Sequence, residues 1–420
     1  MSILIKNALL SNEIKDIYIK GNIINKIDSK INAKADNIID AMSKAVLPSF
    51  LNLHTHAAMN LFRSYADDMK LEDWLKKKIW PVEARLTEDD VYWGAKFACL
   101  EMIKSGTAFF NDMYWHYGAT ARAADEMGLR ANISAVFIDM FDNQKAKEQI
   151  ERNEKLFIQS QQYSNRINFA LGPHSIYTVS EKSLLWAKKF ADKHNLMIHI
   201  HLSETEKEAD DCIKKRKKRP VEYLEDIGFL GDNVIAAHCI HANDKEIKIL
   251  KKYNVCVVYN PVSNMKLCSG VFPYEKMKNA GVNICLGTDG CASNNNLDML
   301  EEMKFASLLQ KSYSRNPVAL PAKDCFKMAA INPAKAFGLN CGRIEEGALA
   351  DLILVDLKDL NLNPNHNLVS NLVYSANGTC VDTTICNGKI LMHNRKVEGE
   401  EEILRKANEV AFRLTANKSA

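Results

Sequence analysis

The chain has 420 residues, 47% of them hydrophobic, and carries 55 Lys and Arg against 52 Asp and Glu, a net charge of +3. That apolar content, with only 18 Gly and 10 Pro, excludes a disordered or collagen-like chain and supplies a sizeable core. The mixed charge gives no basis for binding nucleic acid or an anionic membrane. The 11 cysteines, odd in number and without a C-x-x-C pair, point to a reducing compartment. Without an apolar leader or a run approaching about 18 apolar residues, a soluble, cytoplasmic protein is expected.

Residues 1–48 read as short β segments, Ile3–Leu10, Ile17–Lys20 and Ile23–Ile27, with a turn at Lys20-Gly21-Asn22. From 49 to 342, apolar and partly β-branched segments alternate with helical stretches such as Ser180–His194. The candidate strands are 46–51, 107–111, 132–138, 167–171, 196–201, 233–238, 255–259 and 282–286. This β-then-α alternation predicts a (β/α)8 barrel of the TIM type. Residues 343–400 return to β pattern, with a strand at Asp351–Leu357 and a hairpin over Thr383–Ile390 turning at Asn387-Gly388. The two termini are therefore expected to form a small β-sandwich beside the barrel, followed by a C-terminal helix over 401–420. The basic run Lys214–Arg219 reads as a solvated helix end before Pro220, its field offset by the acidic Glu204–Asp211 segment. No Gly-rich phosphate loop, G-x-S-x-G elbow or fixed repeat is present.

The 11 histidines carry the chemistry. His54 and His56 form an H-x-H behind the buried-looking Val46–Phe50, and residues two apart in extended chain point to one side. His174 follows the fourth candidate strand, His201 and His238 end the fifth and sixth, and Asp289 follows the eighth. Carboxyl ends of barrel strands share one face, and that face holds the active site. His54, His56, His201 and Asp289 thus give an N/O ligand set suited to Zn²⁺, with Fe²⁺ as the alternative. His199, two residues before His201, is expected in a layer beneath the metal. Glu204, three residues after His201, can curl back as a proton shuttle. His116, His194, His241, His366 and His393 lack such placement and read as ordinary polar residues.

Several motifs together resemble the amidohydrolase superfamily, in its branch of 5′-methylthioadenosine/S-adenosylhomocysteine deaminases. They are LPSFLNLHTHAAMNLFRSYADDMKLEDWL, IWPVEARLT, GPHSIYTVS, HIHLSETE, AAHCIHA, NPVSNMKLCSG, LGTDGCASNNNLDML, NPAKAFGL and GRIEEGALADLILVDL, and they cover almost the whole chain. The resemblance implies metal-dependent hydrolytic deamination of adenine nucleosides (5′-methylthioadenosine, S-adenosylhomocysteine, 5′-deoxyadenosine, adenosine) to inosine derivatives and ammonia. It makes His54, His56, His201 and Asp289 ligands of one metal, because the fourth strand ends without the bridging lysine of two-metal relatives. It makes His238 a group that helps activate water and Glu204 the acid/base carboxylate. Glu83 becomes the partner of the ribose hydroxyls and His174 a purine contact, with Trp74 and Ser293 lining the pocket. A homo-oligomer is compatible with it.

The sequence also departs from the pattern. Tyr259 stands where a histidine often precedes N-P-x-S-N. Some relatives place arginines between 130 and 157 that can meet the homocysteine carboxylate. Ala135 or Val136 and Gln149 occupy the matching places here, leaving Arg130 and Arg152 as substitutes. Phe137, Met140 and Phe141 nearby read either as barrel core or as pocket wall, and if they face the pocket a methylthio or 5′-deoxy group suits it better than a zwitterion. Competing readings are a deaminase or chlorohydrolase of guanine, cytosine or an s-triazine, and a non-enzymatic barrel scaffold. Glu83 with His174 favours a nucleoside, and the complete ligand set disfavours the scaffold.

Overall fold

The computed structural model describes residues 1–416. Its strands fall into two sheets. The first holds β1 (Ser2–Leu10), β2 (Glu13–Lys20), β3 (Ile23–Asp28), β4 (Asn37–Asp40) and β5 (Lys44–Pro48). The second is wholly parallel: β6 (Phe50–Thr55), β7 (Thr107–Tyr114), β8 (Arg130–Phe137), β9 (Ile167–Pro173), β10 (Met197–Leu202), β11 (Val234–His238), β12 (Cys256–Tyr259) and β13 (Asn283–Leu286). The chain then returns to the first sheet with β14 (Leu352–Asp356), β15 (Val381–Cys386) and β16 (Lys389–Met392).

The parallel strands are ordered β6 to β13 as in the sequence, with helices between them, and form the expected (β/α)8 barrel. Side chains close the seam between β13 and β6. Asn52 exchanges bonds with Thr288, through Nδ2 to Oγ1 at 2.7 Å and from the Thr288 amide to Oδ1 at 3.0 Å. Gly287 is required there, since a Cβ would lie 2.7 Å from the His54 backbone nitrogen. The period-2 pattern explains which residues enter the barrel. On β10, Ile198, Ile200 and Leu202 join the apolar layer shared with the helices, leaving His199 and His201 on the opposite face.

The terminal strands run β16-β15-β14-β5-β1-β2-β3, with β4 beside β1, and pack on their own apolar core, including Ile3, Ile17, Ile24, Val46, Leu352 and Ile385. β4, only four residues long, is absent from the sequence-based expectation. A terminal helix spans Glu400–Thr415, and residues 417–420 of the stretch expected to be helical lie outside the described residues. Among the described residues no helix is long and apolar enough to cross a membrane, and all 11 cysteines are free.

Two expectations are corrected. The segment 46–51 is not one barrel strand. Lys44–Pro48 pairs with β14, whereas Phe50 opens β6 by donating its N–H to Gly106. The chain changes sheets at Ser49, and because both sheets bury this stretch, hydrophobic pattern alone shows no break. Nor is the basic run simply solvated. The Arg216 guanidinium lies 3.9 Å from the Tyr223 ring centroid, and Arg219 Nε donates to the fully buried Glu246 at 2.7 Å.

Candidate active site

Functional side chains collect at the carboxyl ends of the barrel strands. His54 lies within β6 and His56 just beyond it, His201 is on β10, His238 ends β11, and Asp289 follows β13. Three turns that leave these strands hold non-glycine residues in the left-handed region: Ser203 (φ 50°), His238 (73°) and Asp289 (65°). Such backbone costs of order 1–3 kcal/mol and clusters at functional sites. Here further bonds hold it. The Asp289 amide donates to the His54 carbonyl at 2.9 Å, tying the two metal-facing segments together.

The predicted ligands converge. His54 Nε2 and His56 Nε2 each lie 3.4 Å from Asp289 Oδ1, and His201 Nε2 lies 3.3 Å from His56 Nε2. The supporting bonds orient these rings. His56 Nδ1 donates to the Met113 carbonyl at 2.6 Å and His201 Nδ1 to the His174 carbonyl at 2.8 Å. A neutral ring protonated at Nδ1 turns the Nε2 lone pair inward, the tautomer a metal requires. His54 does the same when its Nδ1 donates to His199 Nε2, 2.8 Å away. Its Nε2 is then a buried atom without a hydrogen-bond partner. Ligands on a tetrahedral ion with bonds of about 2.0–2.1 Å stand about 3.3 Å apart, so these residues fit a divalent cation. Burial pushes His54 down to about 4 and His201 well below the usual imidazole range, keeping both neutral. Burial opposes ionisation of Asp289, and protonated His54, His56 and His238 would outweigh it and hold the carboxyl well below its ordinary value; beside neutral rings a bound cation would supply that attraction.

Around this cluster stand the other predicted residues. Asp289 Oδ2 accepts from Ser263 Oγ at 2.7 Å, and Ser263 in turn contacts Ser293 Oγ at 3.0 Å. The amide nitrogens of Asn260 and Asn264 lie 3.1 and 3.0 Å from His238 Nδ1. With Nδ1 accepting, neutral His238 carries its proton on Nε2, which faces Glu204 Oε2 at 3.8 Å. Burial raises the Glu204 carboxyl above its ordinary value, and His238 partly offsets this. Glu83 is also raised by burial, against the influence of Tyr114, His56 and Trp115. His174, pushed down to about 3 by burial, meets Thr178 Oγ1 at 2.9 Å.

One cavity brings His56, Trp74, Glu83, His174, His201, Glu204, His238, Asp289 and Ser293 together. Its remaining wall is largely apolar, from Met59, Leu75, Trp80, Val136, Ile138 and Leu267, with Tyr114, Trp115 and Tyr177. Trp74, Leu75, Trp80 and Glu83 arrive on one helical segment interrupted by a π-type turn over Leu75–Ile79, a local widening common at functional sites.

Of the residues weighed for the 5′ substituent, only Val136 reaches the cavity. Phe137 points the other way, edge-on to Trp186, and Met140 and Phe141 are about half exposed. Arg130 opens β8 at the far end of the barrel, where its Nε binds Asp351 Oδ2 at 2.7 Å. Arg152 is exposed on the helix Asn143–Ser160. Neither lines the cavity, and among the described residues no Lys or Arg does. Tyr259 stacks on Phe272 at 4.4 Å, outside the cavity. Sequence reasoning misses Tyr114, which ends β7, Trp115, which follows it just as His174 follows β9, and the amides that hold His238.

Comparison with known proteins agrees with this geometry. The family model for the amidohydrolase family matches residues 45–391. The chain is 50% identical over 423 residues to 5-methylthioadenosine/S-adenosylhomocysteine deaminase 1 of Archaeoglobus fulgidus, covering 99% of this chain and 100% of that one. It is 48% identical over 391 residues to a 5′-deoxyadenosine deaminase of Methanoregula boonei, covering 93% and 88% of the two chains. Among solved structures, a zinc-bound adenosine deaminase from Xanthomonas campestris superposes with a TM-score of 0.93 at 30% identity, covering 99% and 98%.

Proposed function

The chain belongs to the amidohydrolase family, and from that premise we propose that its site hydrolytically deaminates adenine nucleosides, replacing the 6-amino group by oxygen and releasing ammonia. The observation that carries this reading is one cavity in which His56, His201 and Asp289 adjoin Glu204 and His238, with His54 buried against Asp289 and a further carboxylate, Glu83, in a largely apolar wall.

His54, His56, His201 and Asp289 hold the metal, for which this donor set favours Zn²⁺ over Fe²⁺. When bound, a divalent cation supplies Lewis acidity that brings the pKa of water from about 15.7 toward 7. The chain's own groups do the rest. His174 and the aromatic wall receive the base. Adding oxygen at C6 forces a proton onto ring N1, and Glu204, whose protonated form burial favours, delivers that proton. His238 directs Nε2–H at the attacking oxygen and orients it, while Asp289, kept ionised, takes the proton it loses. Asp289 passes that proton to the exocyclic nitrogen, and Glu204 takes the remaining proton of the C6 hydroxyl as the C6–N bond breaks, so the carbonyl forms, ammonia departs and both carboxyls return to their starting states.

Glu83 accepts from the 2′ and 3′ hydroxyls of the ribose, and bonds to a charged group are worth about 1.5–3 kcal/mol. Glu83→Ala is expected to lower kcat/KM for nucleosides roughly 10–100-fold and for free adenine far less. Equal losses on both would assign Glu83 to the base or the fold.

The deciding experiment is ammonia release across adenosine, 5′-deoxyadenosine, 5′-methylthioadenosine, S-adenosylhomocysteine, adenine, guanine and cytosine. Burying the homocysteine carboxylate without a partner is costly, and Arg130 is committed to Asp351. The 5′-methylthio or 5′-deoxy nucleoside is therefore expected to exceed S-adenosylhomocysteine by at least about tenfold in kcat/KM, roughly 1.4 kcal/mol. Activity confined to guanine or cytosine overturns the nucleoside reading, and a preference for S-adenosylhomocysteine overturns the account of the 5′ end.

A further inference from the structure

Glu208 has a buried carboxylate that the mechanism does not use, and its two oxygens are both engaged by the turn that carries Glu204. Oε1 accepts the Ser203 N–H and Oε2 the Glu204 N–H, each at 2.9 Å. We propose that Glu208 is a positioning residue that fixes the aim of Glu204, an inference that rests on the deaminase reading for the role of Glu204.

The turn needs holding. Ser203 sits at φ 50°, where the chain leaves β10 and reverses into the helix Glu206–Arg216. On one side its carbonyl accepts the His241 amide at 2.9 Å. On the other, successive N–H groups point at one carboxylate, whose paired oxygens match them as a single acceptor cannot. The clamp is not an ordinary helix cap, because Thr205 already fills that position, with Oγ1 accepting from the Glu208 amide at 3.2 Å. Nor can Glu208 serve substrate directly. It lines a neighbouring cavity with Phe141, Asp211 and Lys215, not the one that holds Glu204. Only 5% of the residue is exposed, and burial raises its carboxyl while the two backbone bonds oppose that rise by favouring the ionised form. An apolar side chain would fill this place without that opposition. The carboxylate is explained by the two amides it aims, and through them by the direction of Glu204 toward His238.

Glu208→Gln keeps one acceptor and turns an amide nitrogen against the other N–H. Supporting contacts of this kind typically matter 10–100-fold, so kcat on 5′-deoxyadenosine is expected to fall roughly 10–100-fold. KM should stay within about threefold and metal content should be unchanged, because neither the pocket wall nor the ligands are altered. In a Glu204→Gln background the same substitution should add little, since it acts through Glu204. Amide exchange of wild-type and variant holoprotein gives a readout independent of turnover: the amides of residues 203 and 204 should lose protection in Glu208→Gln while those of β10 keep theirs. Should Glu208→Gln fail to fold, Glu208→Asp carries the same comparison. Wild-type kcat in the variant, multiplicative losses in the double variant, or unchanged exchange at 203 and 204 would each overturn the clamp. A wild-type protein inactive on every nucleoside overturns the deaminase reading instead, and the exchange comparison still decides the clamp.

Discussion

Glu204→Gln is expected to lower kcat by roughly 10²–10⁴-fold, the usual worth of a positioned acid/base group. Gln matches Glu in size and keeps a hydrogen-bonding tip, so the residue should remain packed. The Glu204 main-chain N–H donates to Glu208 whatever the side chain, so the turn itself should also persist. What disappears is the exchangeable proton that ring N1 requires. Because burial raises this carboxyl, the protonated form extends above the usual carboxylate range. Activity that depends on it should decline as pH rises through that raised value, and this limb of the profile should vanish in the variant. Metal content should match wild type, since Glu204 lies outside the cluster formed by His54, His56, His201 and Asp289. Steady-state kinetics with elemental analysis tests both statements. A variant with near-normal turnover would mean that another group protonates the ring.

The barrel and most of the site were legible because the signal is local: a polar residue at the end of an apolar strand lies on the catalytic face. His201, His238 and Asp289 obey that rule directly. The rule fails where a strand is longer than its apolar run. Asn111 and Asp112 break the hydrophobic pattern of β7, yet both are buried. Asn111 Nδ2 meets His199 Nδ1 at 3.0 Å, and Asp112 Oδ1 accepts the Ala57 amide at 2.7 Å. The strand therefore continues to Tyr114 and delivers Tyr114 and Trp115 to the cavity. β8 carries a different signal. All its residues from Arg130 to Phe137 are buried, yet Asn132 and Ser134 alternate with Ala131, Ile133 and Ala135, and that period of two places Val136 on the inner face and Phe137 against the helices. Arg130 could likewise have been discounted from its position at the start of that strand, since strand starts lie on the opposite face from the chemistry. The partners of His238, Asn260 and Asn264, lie just after β12 and in the short helix Pro261–Lys266, a contact between neighbouring units that no local pattern reveals.

Removing the metal is expected to abolish turnover, by roughly 10³-fold or more, and to lower Tm. His54 and His56 Nε2 each lie 3.4 Å from Asp289 Oδ1 and His201 Nε2 lies 3.3 Å from His56 Nε2, and the Nδ1 bonds of His56 and His201 fix their lone pairs inward. A cation at their centre relieves that repulsion in the folded chain alone, because the unfolded chain does not assemble the four ligands. Binding restricted to the folded state stabilises it by about 4 kcal/mol at a thousandfold excess over Kd. Dialysis against a chelator should therefore yield a folded but inactive protein with a lower melting temperature. Titration with Zn²⁺ should restore activity and Tm together, with an endpoint near one ion per chain. The stoichiometry follows from the ligand geometry and from β9, which ends at Pro173 and leads to His174 rather than to a bridging lysine. His201→Ala should show the same coupling without a chelator, losing the ion, activity and thermal stability together. Two tightly held ions per chain, or metal-free protein turning over at the holoprotein rate, would rule out the single-ion site.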